Sequence, residues 1–261
     1  MILRRVGARL RQKDWTAVAI ELIVVVGGVF IGLQASNWNQ EREIDAKAAR
    51  FAESLRADLR TEAWGFEYQT HYYANVLSNA DRAVEALTGK TPLPDEALLI
   101  SAYRATQYYE TLRQRATYDE LTSTGSIGLI RDPGLRETAM LIYSTTNLAN
   151  TAQEGRTSLY RTAFRMTVPN DVQRVLARTC GDRPTVLGDY RTNFADAINY
   201  PCETGLSPDT IAASVALLRS NAELVPSLRL RVADLETNLA NLLVDEGWIH
   251  TALRDFRQER R

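Results

Sequence analysis

Hydrophobic positions along the chain form one unbroken run near the N-terminus. The run extends from Trp15 to Leu33 with Glu21 as its only charged residue, and polar residues return before Trp38. A helix of about 20 residues is long enough to cross a hydrocarbon core of about 30 Å. The pattern therefore predicts one transmembrane helix over residues 15–38, with Trp15 and Trp38 as anchors at the two membrane interfaces.

A cleaved signal peptide is the alternative interpretation of this run, because Leu33-Gln34-Ala35 resembles a small-residue cleavage site. Two features oppose it. The run exceeds the apolar core of about 7 to 15 residues that signal peptides carry, and it contains the acidic Glu21. We therefore expect an uncleaved anchor.

The pattern that follows the run is that of an amphipathic helix. Apolar residues recur every three or four positions from Ile44 to Leu59, and neither Gly nor Pro occurs between Ser36 and Trp64. Because nothing interrupts the helical pattern, we expect the transmembrane helix to continue into this segment as one rod of about 50 residues, or about 75 Å.

A heptad pattern marks the C-terminal part of the chain. Its apolar positions alternate in steps of four and three and are Leu228, Val232, Leu235, Leu239, Leu242, Ile249, Leu253 and Phe256, with Glu246 in the one polar slot. Such a pattern is typical of a helix that packs along a partner helix. The partner is either residues 36–64 of the same chain, in antiparallel orientation, or another subunit.

Between these segments the pattern indicates further helices, among them one over Leu98 to Arg113, and alternation typical of strands is almost absent. Asp132-Pro133 and Ser207-Pro208 each combine a capping residue with Pro at the first helical position, which predicts two further helix starts. The sequence predicts an all-α protein in which one N-terminal transmembrane helix continues into an extracytoplasmic helical bundle. Its expected parts are a basic cytoplasmic N-terminus at 1–14, the membrane helix at 15–38 and a periplasmic bundle at 39–261.

The distribution of charge sets the expected topology. Five basic residues and one acid precede Trp15, whereas 26 basic and 30 acidic residues follow Trp38. The excess of positive charge before the run places the N-terminus in the cytoplasm and the bundle in the periplasm, as expected for a single-pass protein of a bacterial inner membrane. A mildly acidic bundle argues against nucleic acid as a partner.

One face of the predicted membrane helix carries an acid and small residues. Glu21, Gly28, Gly32 and Ala35 fall on the same side at 100° per residue, and Gly27 widens the groove. Small residues at this spacing allow close approach of another helix, from a membrane partner or a second copy of this chain. Three roles for Glu21 remain open: a partner contact, a protonated side chain that reaches toward the headgroups, or proton transfer.

The two cysteines, Cys180 and Cys202, both fall in the predicted periplasmic part. A disulfide that closes the loop 180–202 suits an oxidising compartment, and two isolated thiols are the alternative. The spacing matches no metal motif, because no further ligand lies nearby in sequence. We expect no metal and no other cofactor.

Catalytic signatures are missing from the sequence. Neither His71 nor His250 has a second ligand at metal-binding spacing, and no nucleophile elbow, zinc-protease, phosphate-loop or dinucleotide motif occurs. We therefore expect a non-enzymatic protein. One set of aromatic residues could line a pocket between helices, although such residues more often form bundle core: Tyr68, Tyr72, Tyr103, Tyr108 and Tyr109.

Two groups of residues together resemble an uncharacterised bacterial family of single-span membrane proteins. The first group lies in and after the apolar run and comprises Glu21, Gly28, Leu33, Asn37-Trp38-Asn39 and Glu41. The second comprises Tyr118-Asp119-Glu120-Leu121, Ser123-Thr124-Gly125, Leu129-Ile130, Leu135 and Tyr143. The resemblance covers the anchor and about the first half of the bundle. It implies a membrane topology and no activity.

Three functions are compatible with this sequence. The first is an interaction or accessory subunit that docks into, or helps assemble, an inner-membrane complex through its transmembrane helix and bundle. The second is a periplasmic ligand-binding sensor that acts through a membrane partner. The third is an ion-driven motor subunit that uses Glu21, an interpretation that depends on topology alone.

Overall fold

The structure is a computed structural model that describes residues 15–258, and within this range it contains ten α-helices, one 3₁₀ turn and no strand. The expectation for residues 1–14 lies outside the described residues. The helices are α1 Trp15–Leu87, α2 Asp95–Arg104, α3 Ala116–Ser123, α4 Pro133–Ser144, α5 Asn147–Thr157, α6 Leu159–Thr167, α7 Asn170–Cys180, α8 Phe194–Ile198, α9 Pro208–Ser220 and α10 Leu224–Gln258.

Helix α1 is one element of 73 residues. It runs without a break from the apolar run into the amphipathic segment, as predicted, and it continues through Gly65 to Leu87, beyond the expected length of about 50 residues. It ends before Gly89, whose φ of 75° lies in the left-handed region that a residue with a Cβ rarely adopts. The amide of Lys90 donates to the carbonyl of Glu85 at 2.9 Å, which satisfies one of the last carbonyls of the helix.

The chain divides into two compact units. The first comprises the chain up to Glu53 together with Gly128–Arg131, and the second comprises Ser54–Ile127 and the chain from Asp132 onward. In the first unit Arg131 forms an ion pair with Asp45. The second unit, which we call the bundle, holds most of the buried core.

Two bundle helices begin at capped Pro residues, as the sequence predicts. The carboxylate of Asp132 accepts a hydrogen bond from the amide of Leu135 at 3.0 Å, and Pro133 is the first helical residue of α4. Ser207 caps α9 in the same way, ahead of Pro208. Pro suits the first helical position because its missing N–H has no helical acceptor there.

The core of the bundle is formed by large side chains of α1, α2 and α6. Trp64, Phe66, Leu98, Leu99 and Tyr160 are all completely buried. Helix α10 packs against α4, α5 and α6, while α2 packs against α7 and α9. Burial of this apolar surface is the main stabilising contribution to the bundle.

The predicted helix over Leu98 to Arg113 is wrong in its second half, since α2 ends at Arg104. Residues 107–115, here called the extended segment, are not helical. Side chains replace the helical hydrogen bonds there: the Tyr73 hydroxyl donates to the carbonyl of Tyr109 at 3.0 Å and lies 3.2 Å from its amide. The amide of Gln114 donates to the Glu62 carboxylate.

The predicted heptad seam on α10 is correct at four positions, because Leu228, Leu235, Leu242 and Ile249 are completely buried. At the alternate positions the prediction is wrong. The second buried row consists of Arg231, Asn238 and Asp245, while Val232 and Leu239 remain partly exposed. Phe256 lies among the residues whose side chains are not described.

Polar partners explain this second row. Arg231 Nη2 donates to the Gln107 carbonyl at 3.1 Å, although Nε and Nη1 of the same side chain have no hydrogen-bond partner among the described residues. Asn238 Nδ2 donates to Glu154 Oε2 at 2.6 Å. Asp245 Oδ2 accepts hydrogen bonds from Thr145 and Asn147, both at 2.9 Å. Buried polar groups are tolerated when they find such partners.

The predicted partner of α10 also differs. Its buried side faces α4, α5 and α6 of the same chain. A polar contact that it forms with α1 joins His250 Nε2 to Glu67 Oε1 at 2.7 Å, and Glu67 lies beyond residues 36–64. The packing is therefore intramolecular, with other helices as the main partners.

Candidate functional site

The first candidate site is the N-terminal part of α1. Its apolar stretch has a mean hydropathy of 2.2 over 18 residues, and none of that window is buried inside the structure. Large apolar side chains such as Ile23, Val24 and Ile31 are more than 60% exposed. Among the described residues this is the one helix long and apolar enough to cross a membrane, by length and composition alone.

The predicted small-residue face occupies this stretch. In helical geometry Gly28 and Gly32 lie within about 20° of Glu21 around the axis, and Ala35 lies within about 40°. A Cβ atom built on Gly27, Gly28 or Gly32 would meet no described atom within 4 Å. Glu21 is half-buried and Ala35 is exposed. No described atom lies over the three glycines, so this part of the face has room for another helix.

The two tryptophans at the predicted borders are both exposed, Trp15 at 67% and Trp38 at 63%. The guanidinium of Arg42 lies 4.9 Å from the ring centroid of Trp38, one turn farther along the helix. Asn39 donates to Glu43 at 3.2 Å. Polar side chains thus follow Trp38 directly, and its role as an interface anchor stays a prediction.

The second candidate site lies in the bundle. Of the tyrosines predicted to line a pocket, some are packed in the core and others line a cavity. Tyr68 stacks on Trp64 with centroids 5.0 Å apart, and it also contacts Tyr109 at 4.7 Å. Tyr72 is 3% exposed and packs against Tyr73. Burial raises the pKa of Tyr68 and that of Tyr73 to about 12. These tyrosines are packed core residues.

Tyr103 and Tyr108 differ, because they line an open cavity of about 370 Å³ together with Arg161 and Asp182. The guanidinium of Arg161 lies 4.9 Å from the Tyr108 ring centroid. Asp182 accepts a hydrogen bond from the Tyr72 hydroxyl at 3.0 Å. A second cavity, of about 360 Å³, shares Tyr103 and Arg161 with the first. This part of the bundle offers both aromatic surface and charge to a ligand.

The predicted cysteine pair lies beside this region. The Cα atoms of Cys180 and Cys202 are 5.5 Å apart, and their sulfur atoms lie at disulfide distance. Arg104, which is 7% exposed, donates to the Tyr200 carbonyl at 2.8 Å and lies 4.9 Å from the Tyr200 ring centroid. Together the cysteine pair and Arg104 hold the loop after α7 in place.

Several buried charges were not found from the sequence. Arg104 is one, and the ion pair of Arg113 Nε with Glu62 Oε2, at 2.6 Å, is another. Neither interaction can be detected from a single sequence, because the interacting residues lie far apart along the chain. The buried polar row on α10 could have been detected, because Arg231, Asn238 and Asp245 recur every seven residues.

The two histidines lie apart. His71 is exposed and contacts Phe194 at 5.6 Å between ring centroids, and His250 pairs with Glu67. Over residues 15–258 no group of three or more His, Cys, Asp or Glu side chains could hold a metal ion. The expectation of no metal, no cofactor and no enzymatic activity stays a prediction.

No family model, curated protein or solved structure matches the chain. The resemblance to single-span membrane proteins therefore stays a prediction, carried by the motifs around Glu21 and Tyr118.

Proposed function

We propose that this chain is a non-enzymatic interaction subunit, anchored in a bacterial inner membrane by the N-terminal part of α1. In this proposal residues 1–14 lie in the cytoplasm, residues 15–38 cross the bilayer, and residues 39–261 lie in the periplasm. The asymmetry of basic residues supports this orientation. The cysteine pair at disulfide distance supports an oxidising compartment for the bundle.

One observation carries the docking role: an ionisable side chain and a glycine groove share a face of an exposed apolar helix. A carboxylate exposed to lipid costs about 2.5 to 3.5 kcal/mol on insertion scales, so Glu21 is stabilised by a polar or cationic group on a partner. Gly28 and Gly32 let the partner helix approach closely enough to make that contact. The partner is another membrane protein or a second copy of this chain.

Association in a mild detergent tests this role. We would purify tagged full-length protein, measure its native mass and identify the proteins that accompany it. Glu21→Gln should weaken the association by about 1 to 2 kcal/mol, because the amide keeps the shape and loses the charge. Glu41→Gln, an exposed site beyond Trp38, is the matched control and should behave as the wild type. Equal complexes in wild type and Glu21→Gln would refute the role of the carboxylate.

The cavities at Tyr103 and Arg161 favour a second candidate function. A bundle that binds a small molecule and is joined to a membrane helix could act as a sensor that signals through a membrane partner. A ligand retained by the purified protein would support this function. It does not compete with docking, because a sensor of this kind also needs a partner in the membrane.

A further inference from the structure

The cavity of about 360 Å³ between the end of α2, α6 and α7 has an unusual lining. Three arginines line it, Arg161 and Arg165 from α6 and Arg174 from α7. No Asp or Glu of the described chain is among its lining residues. The cavity is therefore positively charged, whereas the part of the sequence that follows Trp38 is mildly acidic.

The positive charge of Arg165 and Arg174 is poorly compensated within the bundle, whereas Arg161 also lines the adjoining cavity together with Asp182. Arg161 and Arg165 are one turn apart on the same helix, where like charges destabilise the helix. Arg161 Nη1 donates to the Thr106 carbonyl at 3.0 Å, and its guanidinium lies over the Tyr108 ring. Between residues 15 and 258 neither Arg165 nor Arg174 forms an ion pair. An anion between these arginines would relieve the repulsion.

The rest of the lining is fixed and partly aromatic. Phe164 is 1% exposed, and its ring centroid lies 6.3 Å from that of Tyr103. The Tyr103 hydroxyl, like any tyrosine hydroxyl, is protonated at neutral pH and can donate a hydrogen bond, and burial raises its pKa further. Gln173 is held by hydrogen bonds from Nε2 to the carbonyls of Arg165 and Val168, at 2.9 and 2.7 Å.

We propose that this cavity binds a small organic anion, with its carboxylate or phosphate group on Arg161, Arg165 and Arg174 and its apolar part against the Tyr103 ring, which Phe164 backs from the core. Arginine suits this role because its planar guanidinium binds two oxygens of one anionic group at once. The volume is near the lower end of ligand pockets, which suits a single ring or a short chain better than a phospholipid.

Binding of water-soluble probes to the purified full-length protein tests this inference. We would titrate phenyl phosphate, benzoate and inorganic phosphate by calorimetry in detergent, with sodium chloride at matched ionic strength as the blank. Phenyl phosphate should bind with a Kd of about 1 mM or tighter and more tightly than inorganic phosphate, because only the former contacts both the arginines and the Tyr103 ring. Lack of binding by all three probes would overturn the proposal.

Two variants with the same change of charge locate the site. Arg174→Gln removes an exposed lining arginine and should weaken phenyl phosphate binding about tenfold. Arg229→Gln removes an exposed arginine of α10 that does not line the cavity, and it should leave the affinity within about twofold of wild type, since surface charges away from the site act weakly. Equal affinities of the two variants would refute the assignment, provided that both unfold at the wild-type temperature.

This inference names a ligand class for the second candidate function and rests on that function only for its physiological meaning. If phenyl phosphate binds and the membrane complex stays unchanged, the sensor function is contradicted. The anion-binding site is supported by the same result. Loss of the complex in Glu21→Gln, with phenyl phosphate binding intact, would separate docking from ligand binding.

Discussion

Replacement of Arg113 by Met tests how the extended segment is held. Arg113 Nε lies 2.6 Å from Glu62 Oε2 on α1, and its Nη2 donates to the carbonyl of Ile142 at 2.8 Å, near the end of α4. Its Nη1 donates to the Thr145 carbonyl at 3.2 Å. One side chain therefore joins α1, the extended segment and the C-terminal carbonyls of α4.

The expected cost follows from burial. The Glu62 side chain is 2% exposed and that of Arg113 is 18% exposed, so Arg113→Met leaves a buried carboxylate without its cation. Breaking a buried pair in this way costs about 3 to 5 kcal/mol. For a unit of about 200 residues, a loss of 3 kcal/mol lowers the Tm by about 6 to 12 °C.

Arg115 supplies the matched control. It lies two residues away and also pairs with a carboxylate, at 2.9 Å from Asp119, but these side chains are 42% and 52% exposed. Arg115→Met should cost no more than about 0.5 kcal/mol. Thermal unfolding of the full-length protein in detergent, followed by tryptophan fluorescence, measures both variants. Equal Tm values for the two variants would refute the reasoning, as would a full-sized loss in Arg115→Met alone.

Three further predictions concern the bundle. Reduction of the Cys180 and Cys202 pair should lower the free energy of unfolding by about 3 kcal/mol, measured by urea unfolding with and without reductant; no change would mean that the pair is not bonded. Asp245→Ala should cost about 1 to 3 kcal/mol, because it leaves two partly buried donors, Thr145 and Asn147, without an acceptor, and a urea midpoint equal to that of wild type would contradict this. The pKa values of Tyr68 and Tyr73 are raised to about 12 in the folded state, so these two hydroxyls leave stability unchanged below about pH 10 and lower it from about pH 10 to 12, because the unfolded chain then loses protons first. Urea midpoints across this range check the sign, and a rise would refute it.

The features that the sequence predicted correctly depend on neighbours along the chain. The continuity of α1 follows from the absence of Gly and Pro between Ser36 and Trp64, and the starts of α4 and α9 follow from capped prolines at Pro133 and Pro208. The cysteine pair was indicated by composition, because the chain has two cysteines. Each of these inferences uses local backbone chemistry or a simple count.

The features that the sequence did not predict depend on contacts between residues that lie far apart along the chain. Residues 107–115 have a helical pattern, yet Tyr73 and Glu62 take up their backbone groups across the bundle. On α10 the pattern favoured Val232 and Leu239, but the neighbours on that side are polar, so Asn238 is buried instead. Periodicity reports which residues are apolar and does not report what they face.

The two candidate sites differ in the same respect: one depends on residues close together in the sequence, and the other depends on contacts between distant residues. The face formed by Glu21, Gly28 and Gly32 follows from helical geometry alone, and the structure adds that no described atom lies over its glycines. The arginine cavity could not be read from the sequence, because Arg161 and Arg174 come from different helices. They line one cavity because Phe164 of α6 contacts Tyr103 of α2, and α2 packs against α7.

The most direct test of the docking role is the native mass of full-length Gly28→Leu beside Val26→Leu. Both changes add apolar volume to the same helix, but residue 26 points about 160° away from residue 28. If the glycine face binds a partner helix, Gly28→Leu loses the complex and Val26→Leu keeps it. A complex of wild-type mass in Gly28→Leu would contradict the account.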